Sequence, residues 1–446
     1  MLGTTDFRQI LGIGDTSSDP RLVARLLIPS SLDPFMRAWM KSLPIGISLL
    51  LCGSGCCCLK RCCCSWSSPT PQLECRQVEP QPIVPDLSLV PKDLPPAFPG
   101  GQYCALSERD AQCLAAKNSK TANLLEQEAD AVATQKKCFH DGTALAQDIL
   151  ILQATHKRNL DASIALQLFL KLAEAEGGTQ NLQKRLHELD GMLSDADELQ
   201  SRGVASPISK NGLEMQRLEL LHRQAEVQGT IDRLNSQLAD ALGVELPPNS
   251  RYWPEVDLLV DPELPVVEEA VYTAFGNRAD LAALRIAAQA DGREAIAAAR
   301  LLLQPLGVGL ATSGSSHCLA KLMALCSHHN ESDVRSDQLN QAYQDHRRTV
   351  EHEVRQAINL QTMRLTQLAL SRDRQHVAQV LLKSTERQQE MTVAPFGVRK
   401  SRLDGLAADQ DLLHDVIEWK IAVVRLREAQ GLLAIECGYD AAARCR

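Results

Sequence analysis

Residues 168–196 read LFLKLAEAEGGTQNLQKRLHELDGMLSDA, and this stretch decides the fold of the chain. From Leu168 to Ala196, one residue in every alternating interval of four and three positions belongs to a single row, which we call the seam. All residues of this seam are apolar except Thr179. A period of 3.5 residues is typical of a helix that packs along a coiled-coil seam. The stretch therefore predicts a long helix with one buried stripe.

A second seam follows after a short interruption. Apolar residues recur every seven positions from Leu213 to Ala241, which predicts a second long helix. The intervening segment, Ser201–Pro207, contains both Gly203 and Pro207, and residues of these types end one helix and start the next. An outbound helix, a tight turn and a return helix together form a helical hairpin.

The second half of the chain repeats this scheme. An apolar face begins at Val350 and continues to Leu381, a turn follows at Met391–Gly397, and a return helix includes Leu413. The turns of the two halves correspond with an offset of 188 residues. Self-similarity of this kind indicates a duplicated helical unit.

The opening segments of the two units correspond with a different offset. Asn123–Leu125 and Asp280–Ala282 are 157 residues apart, so the second unit has a surplus of 31 residues before its turn. The surplus fits Leu303–Asp333, where the helical pattern lapses. We therefore expect two helical-hairpin repeats, at residues 105–248 and 262–440.

The first hundred residues have a different character. Residues 1–35 show no clear pattern and are interpreted as a leader, which lies upstream of the true start if translation begins at Met36 or Met40. Residues 36–56 contain basic residues, a short apolar run and then small residues before Cys56. This is the layout of a secretory signal peptide, and the run is too short to span a bilayer.

The end of this signal resembles a bacterial lipoprotein signal, in which the Cys after the cleavage site is acylated. Gly53–Gly55 precede Cys56, and the resemblance predicts that Cys56 is the lipidated residue. A plain signal peptide or a short anchor is the alternative. Residues 57–104 are rich first in Cys and then in Pro, which predicts an extended tether between the anchor and the helices.

Composition excludes several classes of function. Aromatic residues make up 4% of the chain and the net charge is −8, which argues against a large compact core and against nucleic-acid binding. No nucleophile, phosphate-loop or zinc-protease motif occurs, so we expect neither enzymatic activity nor a cofactor. A group of Cys and His residues matches no familiar zinc spacing, and we interpret it as a flexible polar loop without a metal. Its members are His317, Cys318, Cys326, His328 and His329.

Several segments resemble the TolC-like family of outer-membrane efflux proteins over residues 105–440. The clearest is similar to the Arg-Pro-Asp-Leu segment that opens the family's second repeat, with Ala279 in place of the usual Pro. The hairpin-tip turn and the ends of both return helices are also similar. The segments that carry the resemblance are Asn277–Arg285, Gly203–Ser206, Leu238–Gly243 and Leu426–Gly431.

The resemblance implies an all-α fold of long antiparallel coiled-coil hairpins in two internal repeats. In this family three protomers form a helical tunnel that faces the periplasm. The tunnel passes substrates from a periplasmic adaptor protein and an inner-membrane pump to the outer membrane. The sequence departs from the family where membrane strands are expected, because Cys138–Thr143 is too short and Leu306–Asn330 lacks alternation. We therefore expect little or no β-structure.

The resemblance also suggests functional residues at the hairpin tips. Three acids near the tips, Asp195, Asp197 and Asp404, are candidate gating residues, although a solvated helix face would have the same composition. Asp404 lies near Arg399, Lys400 and Arg402 in sequence, which suggests a salt bridge between protomers. Phe396 is expected to face solvent at its tip and so to favour a partner. The alternative to adaptor contact is that the turn residues only reverse the chain, since tight turns need these residue types. The candidate adaptor contacts are Gly203, Val204, Ala205, Ser206, Pro207, Val393, Ala394, Pro395 and Phe396.

Three functions are consistent with the sequence, the third being a metal-responsive protein that uses the Cys and His clusters. The first is a component of an export conduit, a trimeric lipoprotein of the bacterial outer membrane that works with an adaptor and a pump. The alternative is a periplasmic coiled-coil scaffold lipoprotein that does not transport anything. The conduit requires a trimer, whereas a scaffold could be a monomer or a dimer.

Overall fold

A computed structural model describes residues 101–135, 143–204, 208–303, 319–391 and 395–440. All of them belong to the second of the chain's two compact units. The predicted leader, the signal with Cys56 and most of the tether lie outside the described residues. The elements, in chain order, are β1 (Gln102–Ser107), α1 (Glu108–Asn118), α2 (Lys120–Gln135), α3 (Thr143–Ser201), α4 (Lys210–Leu242), β2 (Ser250–Glu255), α5 (Val267–Asn277), α6 (Ala279–Ala288), α7 (Gly292–Leu303), α8 (Leu319–Met391), α9 (Pro395–Ala429) and α10 (Leu432–Glu436).

The first hairpin consists of α3, which has 59 residues, and α4, which has 33. The predicted seam is confirmed, since Leu172, Leu182 and Leu189 of α3 are buried in contact with neighbouring helices. α4 ends where Gly243 adopts a left-handed conformation, and its backbone N–H bonds to the last carbonyls of the helix. The all-α hairpin predicted from the heptads is therefore the structure of this half.

The second hairpin, formed by α8 and α9, repeats the first with a longer outbound helix of 73 residues. The opening helices α1 and α5 each have 11 residues and begin 159 residues apart. The predicted offset of 157 is therefore two residues too small, because the degenerate sequence allowed a shifted alignment. The prediction of a flexible loop is also wrong for residues 319–330, which belong to α8.

The four long helices lie side by side in the order α4, α3, α9, α8. The inner helices α3 and α9 each pack against two long neighbours. The outer helices α4 and α8 make no extensive contact with one another in the described part of the chain. The hairpins therefore form an open layer with two free edges, and not a closed four-helix bundle.

The two short strands form a parallel pair, with Gln102 opposite Ser250. Tyr103 and Trp253 meet edge to face, with their ring centroids 5.3 Å apart. Both rings belong to the largest apolar cluster, which also includes residues of α3, α4 and α9. The strands thus fasten the segments before α1 and after α4 to the middle of the helical layer.

A disulfide bond joins Cys113 of α1 to Cys437, just after α10, across a sequence separation of 324. No local pattern in the sequence predicts this pairing. Beside it, the amide Nε2 of Gln112 donates to the Leu433 carbonyl and to Glu436, each at 2.8 Å.

The described residues contain little β-structure, as predicted. Most of the joint at Cys138–Thr143 lies outside the described residues, as does the first part of Leu306–Asn330. Among the described residues, none of the helices has both the length and the apolar character needed to cross a bilayer.

Candidate functional site: the hairpin tips

The first tip is a tight turn closed by backbone hydrogen bonds. The N–H of Gly203 donates to the Gln200 carbonyl at 3.0 Å, and that of Val204 donates to the Leu199 carbonyl at 2.9 Å. Gly203 has a φ of 70°, a conformation that favours glycine. The side chain of Val204 is exposed at the end of the hairpin. Ala205, Ser206 and Pro207 lie outside the described residues.

At the second tip, α9 begins at Pro395, directly after the undescribed Val393 and Ala394. The prediction that Phe396 faces solvent is wrong, because its side chain is only 6% exposed. The ring packs in a cluster with apolar residues of the first hairpin. This cluster contains Leu189, Met192, Ala196, Leu213 and Phe396. Phe396 therefore joins the two tips of one protomer, because its burial against α3 and α4 removes the ring from water.

A charged contact lies beside this cluster. The Nε of Arg399 on α9 donates to Asp195 of α3 at 2.8 Å, and its Nη1 lies 3.4 Å from Glu188 of the same helix. Glu188, Gly191 and Asp195 lie on one face of α3 because they are three and four residues apart. A Cβ atom at Gly191 would overlap the Arg399 guanidinium. The missing side chain thus lets the guanidinium lie across α3, between two carboxylates.

The three predicted gating acids therefore have different surroundings. Asp195 is held by Arg399 of its own chain, and Asp197 by Lys210 at 2.6 Å across the first hairpin. Asp404 is exposed on α9. Two of the basic residues near Asp404 in sequence are engaged within their own chain: Arg399 with Asp195 and Glu188, and Arg402 with Glu188 and Glu386. The spacing of Glu188, Gly191 and Asp195 places two acids and a glycine on one face of α3, which is a signal for a bound cation. The sequence does not show that α9 supplies this cation.

A second charged group fixes the other end of the layer. Arg278 precedes α6 and donates two hydrogen bonds to Asp280, at 2.8 and 2.6 Å, and one to Glu353 of α8 at 2.7 Å. Burial disfavours the Asp280 carboxylate, but hydrogen bonds from Arg278 and from His346 outweigh it and hold its pKa well below the usual value. The segment that carries the family resemblance is therefore a structural joint between α6, α8 and α9.

One group of residues in the described part of the chain brings three metal-binding side chains together: Glu174, His414 and Glu418. Lys171 donates to Glu174 at 2.8 Å and to Glu418 at 2.6 Å, and Arg364 contacts Glu418 at 2.7 Å. These cations neutralise both carboxylates and so oppose the binding of a dication. The group is an ion-pair network that joins α3, α8 and α9. Of the predicted Cys and His group, His317 and Cys318 lie outside the described residues.

The sequence matches no protein-family model and no curated protein. Solved structures match the fold. The open state of the Neisseria gonorrhoeae MtrE outer membrane channel superposes with a TM-score of 0.54 at 10% identity, over 73% of this chain and 88% of that one. A membrane protein from Pseudomonas aeruginosa gives 0.53 at 12% identity, over 72% and 92%.

CusC, whose structures describe transmembrane channel formation, gives a TM-score of 0.52 at 12% identity, over 78% of this chain and 99% of that one. The fold is thus similar to that of these outer membrane channel proteins. More particularly, it is the TolC-type fold that the sequence resembles, so that resemblance is confirmed at the level of the fold.

Proposed function

We propose that this protein is one protomer of a trimeric helical tunnel of the bacterial outer membrane, through which substrates are exported. The observation that carries the proposal is the open layer of helices. Its order α4, α3, α9, α8 leaves α4 and α8 as free edges. Repeated head-to-tail contacts between two such edges close into a ring when the rotation between copies allows it.

The α8 edge carries an apolar stripe that the described part of the chain leaves about half exposed or more. Met363, Leu370 and Val377 recur every seven residues, and Leu381 continues the row. Each of these side chains is between 46% and 66% exposed. The heptad spacing that buries the seam of α3 thus continues on a solvent-facing surface, where it favours packing against a helix of another copy.

The α4 edge offers a surface that suits such a stripe. Small residues recur on its exposed face at Ala225, Gly229 and Ser236, while Met215 and Leu218 are exposed nearer the tip. Small side chains allow a neighbouring helix to approach closely. An α8 edge against the α4 edge of the next copy would give twelve long helices in a trimer.

Within this tunnel, the tips act as the gate and the docking end. The Arg399 contact holds the two hairpins of one protomer together, and opening would separate them. The adaptor is proposed to bind the exposed first turn together with Val393, Ala394 and Pro395 of the second turn. An inner-membrane pump would deliver substrates through this adaptor. Phe396 contributes by fixing the two turns relative to one another. Lipidation of Cys56 would anchor the protein to the outer membrane, facing the periplasm.

Mass measurement of the full chain in mild detergent tests the proposal. We expect a trimer, and we expect the double substitution Leu370→Glu and Val377→Glu to give a monomer, because two charges would enter the interface. Leu124→Glu, at an exposed leucine of α2, which is neither of the two edge helices, is the matched control and should remain trimeric. A monomer at all concentrations of the unmodified protein would exclude the tunnel. A trimer without a central channel in electron micrographs would favour the scaffold.

A further inference from the structure

Three arginines line a cavity of about 430 Å³ that is formed by α3, α4 and Gln410 of α9. Arg185 belongs to α3, and Arg223 and Arg233 belong to α4. None of the three makes an ion pair with any residue that the structure describes. The Nε of Arg185 is buried and has no hydrogen-bond partner within the described residues.

The surrounding acids do not neutralise these arginines. Glu174 lines the cavity, but it is engaged by Lys171 and His414. Asp411, Glu219 and Asp404 influence Arg185 only at longer range. Burial, followed by the charge of Arg223, lowers the pKa of the Arg185 guanidinium. The Arg185 and Arg223 guanidinium groups therefore repel one another, and the three acids act on Arg185 without an ion pair, while Arg223 and Arg233 are exposed to solvent.

The wall of the cavity also carries hydrogen-bond acceptors. The amide nitrogen of Asn181 donates to the Leu406 carbonyl at 2.7 Å, which leaves its Oδ1 buried without a partner. The Oε1 of Gln410 is likewise buried and unpaired in the described structure, and its side chain lies over Gly178. Unpaired buried groups of this kind cost free energy until a partner satisfies them.

We propose that this cavity binds a small oxyanion that also carries a hydroxyl group, such as hydrogen phosphate or a phosphorylated or carboxylated polyol. The oxygens of the anion would accept from the guanidinium groups, for which Arg is well suited. The hydroxyl would donate to Asn181 or Gln410. The cavity is complete within one protomer, so the proposal does not depend on the trimer.

Calorimetric titration of the full chain in mild detergent with inorganic phosphate tests this site. We expect saturable binding that chloride at equal ionic strength does not reproduce. Arg185→Gln combined with Arg223→Gln should weaken phosphate binding at least tenfold. Arg348→Gln is the control, because that side chain is 81% exposed on α8, far from the cavity, and should change nothing.

Sulfate separates the two parts of the proposal, because it lacks the hydroxyl donor that hydrogen phosphate has. We expect sulfate to bind more weakly than phosphate, and Asn181→Ala to reduce that difference. Equal binding of the two anions would overturn the role of the hydroxyl. Absence of phosphate binding, or unchanged binding by the Arg185→Gln and Arg223→Gln variant with native helical circular dichroism, would overturn the site.

Discussion

Gly243 and Gly431, which are 188 residues apart, end the return helices of the two repeats in the same left-handed conformation. Each packs against the last residue of the opening helix in its own repeat, Asn118 for Gly243 and Asn277 for Gly431. The offset equals the one between the two predicted turns. In both repeats, the end of the return helix therefore packs against the end of the opening helix through the same kind of contact. This contact fixes the position of the return helix relative to the opening helix.

Replacing Gly431 by Ala should destabilise the protein by about 2 kcal/mol or more, because a side chain disfavours the left-handed conformation by about 1–2 kcal/mol and also meets Asn277. The added Cβ would lie 2.8 Å from the Asn277 carbonyl oxygen. Midpoints of urea unfolding measure the change. Gly405→Ala, within α9 where a Cβ meets nothing within 4 Å, should instead stabilise by about 0.5–1 kcal/mol. Equal midpoints for both variants would contradict this explanation.

The heptads made the long hairpins predictable, because a repeated apolar spacing such as that of Leu182 and Leu189 is visible within one helix. The ends of the hairpins were also readable, since Gly203 signals a turn by its conformational freedom. Contacts between the two hairpins cannot be predicted in this way. They depend on how far α9 slides along α3, which no local pattern records, and for this reason the pairing of Arg399 with Asp195 was missed.

The same reasoning explains the other errors. Phe396 follows a turn in the sequence, which predicts an exposed side chain, but the neighbouring hairpin covers it. Cys113 and Cys437 are 324 residues apart, and their pairing becomes evident only once α1 and α10 are adjacent. A sequence of this kind therefore predicts the elements well and their mutual positions poorly.

Loss of the Arg399 contact should loosen the tips without unfolding the hairpins. In Arg399→Gln we expect faster amide hydrogen exchange at residues 195–204 and 395–404, because the two hairpins are no longer joined there by charge. Gly191→Ala should have a similar effect by displacing the guanidinium. Arg387→Gln, at an exposed arginine of α8, serves as the control and should leave exchange unchanged. Unaltered exchange in the first two variants would show that the contact does not hold the tips.

Removal of the disulfide should destabilise the body of the protein. Cys113→Ser and Cys437→Ser should each lower the free energy of unfolding by about 2–5 kcal/mol, the usual effect of losing a native disulfide. The double variant should resemble either single variant, because one bond is lost in all three. Urea unfolding under non-reducing conditions measures these values. Additive losses in the double variant would indicate that the two thiols act separately.

Glu176 should make stability depend on pH. Its side chain is buried in the middle of α3, and one of its oxygens has no hydrogen-bond partner among the described residues. Burial, only partly offset by the charge of Arg251, raises its pKa to about 7. The folded protein therefore holds this proton more tightly than the unfolded chain, whose carboxyl has the ordinary pKa of 4.5.

Because the folded state binds more protons between pH 4.5 and about 7, the free energy of unfolding should fall as the pH rises through this window and then level off. A shift of this size corresponds to about 3 kcal/mol. Urea unfolding at pH 5 and pH 8 measures the difference. Glu176→Gln, which is neutral at both values, should remove most of it and be more stable than the unmodified protein at pH 8. The prediction fails if the two proteins show the same pH dependence, since the proton would then belong to another group.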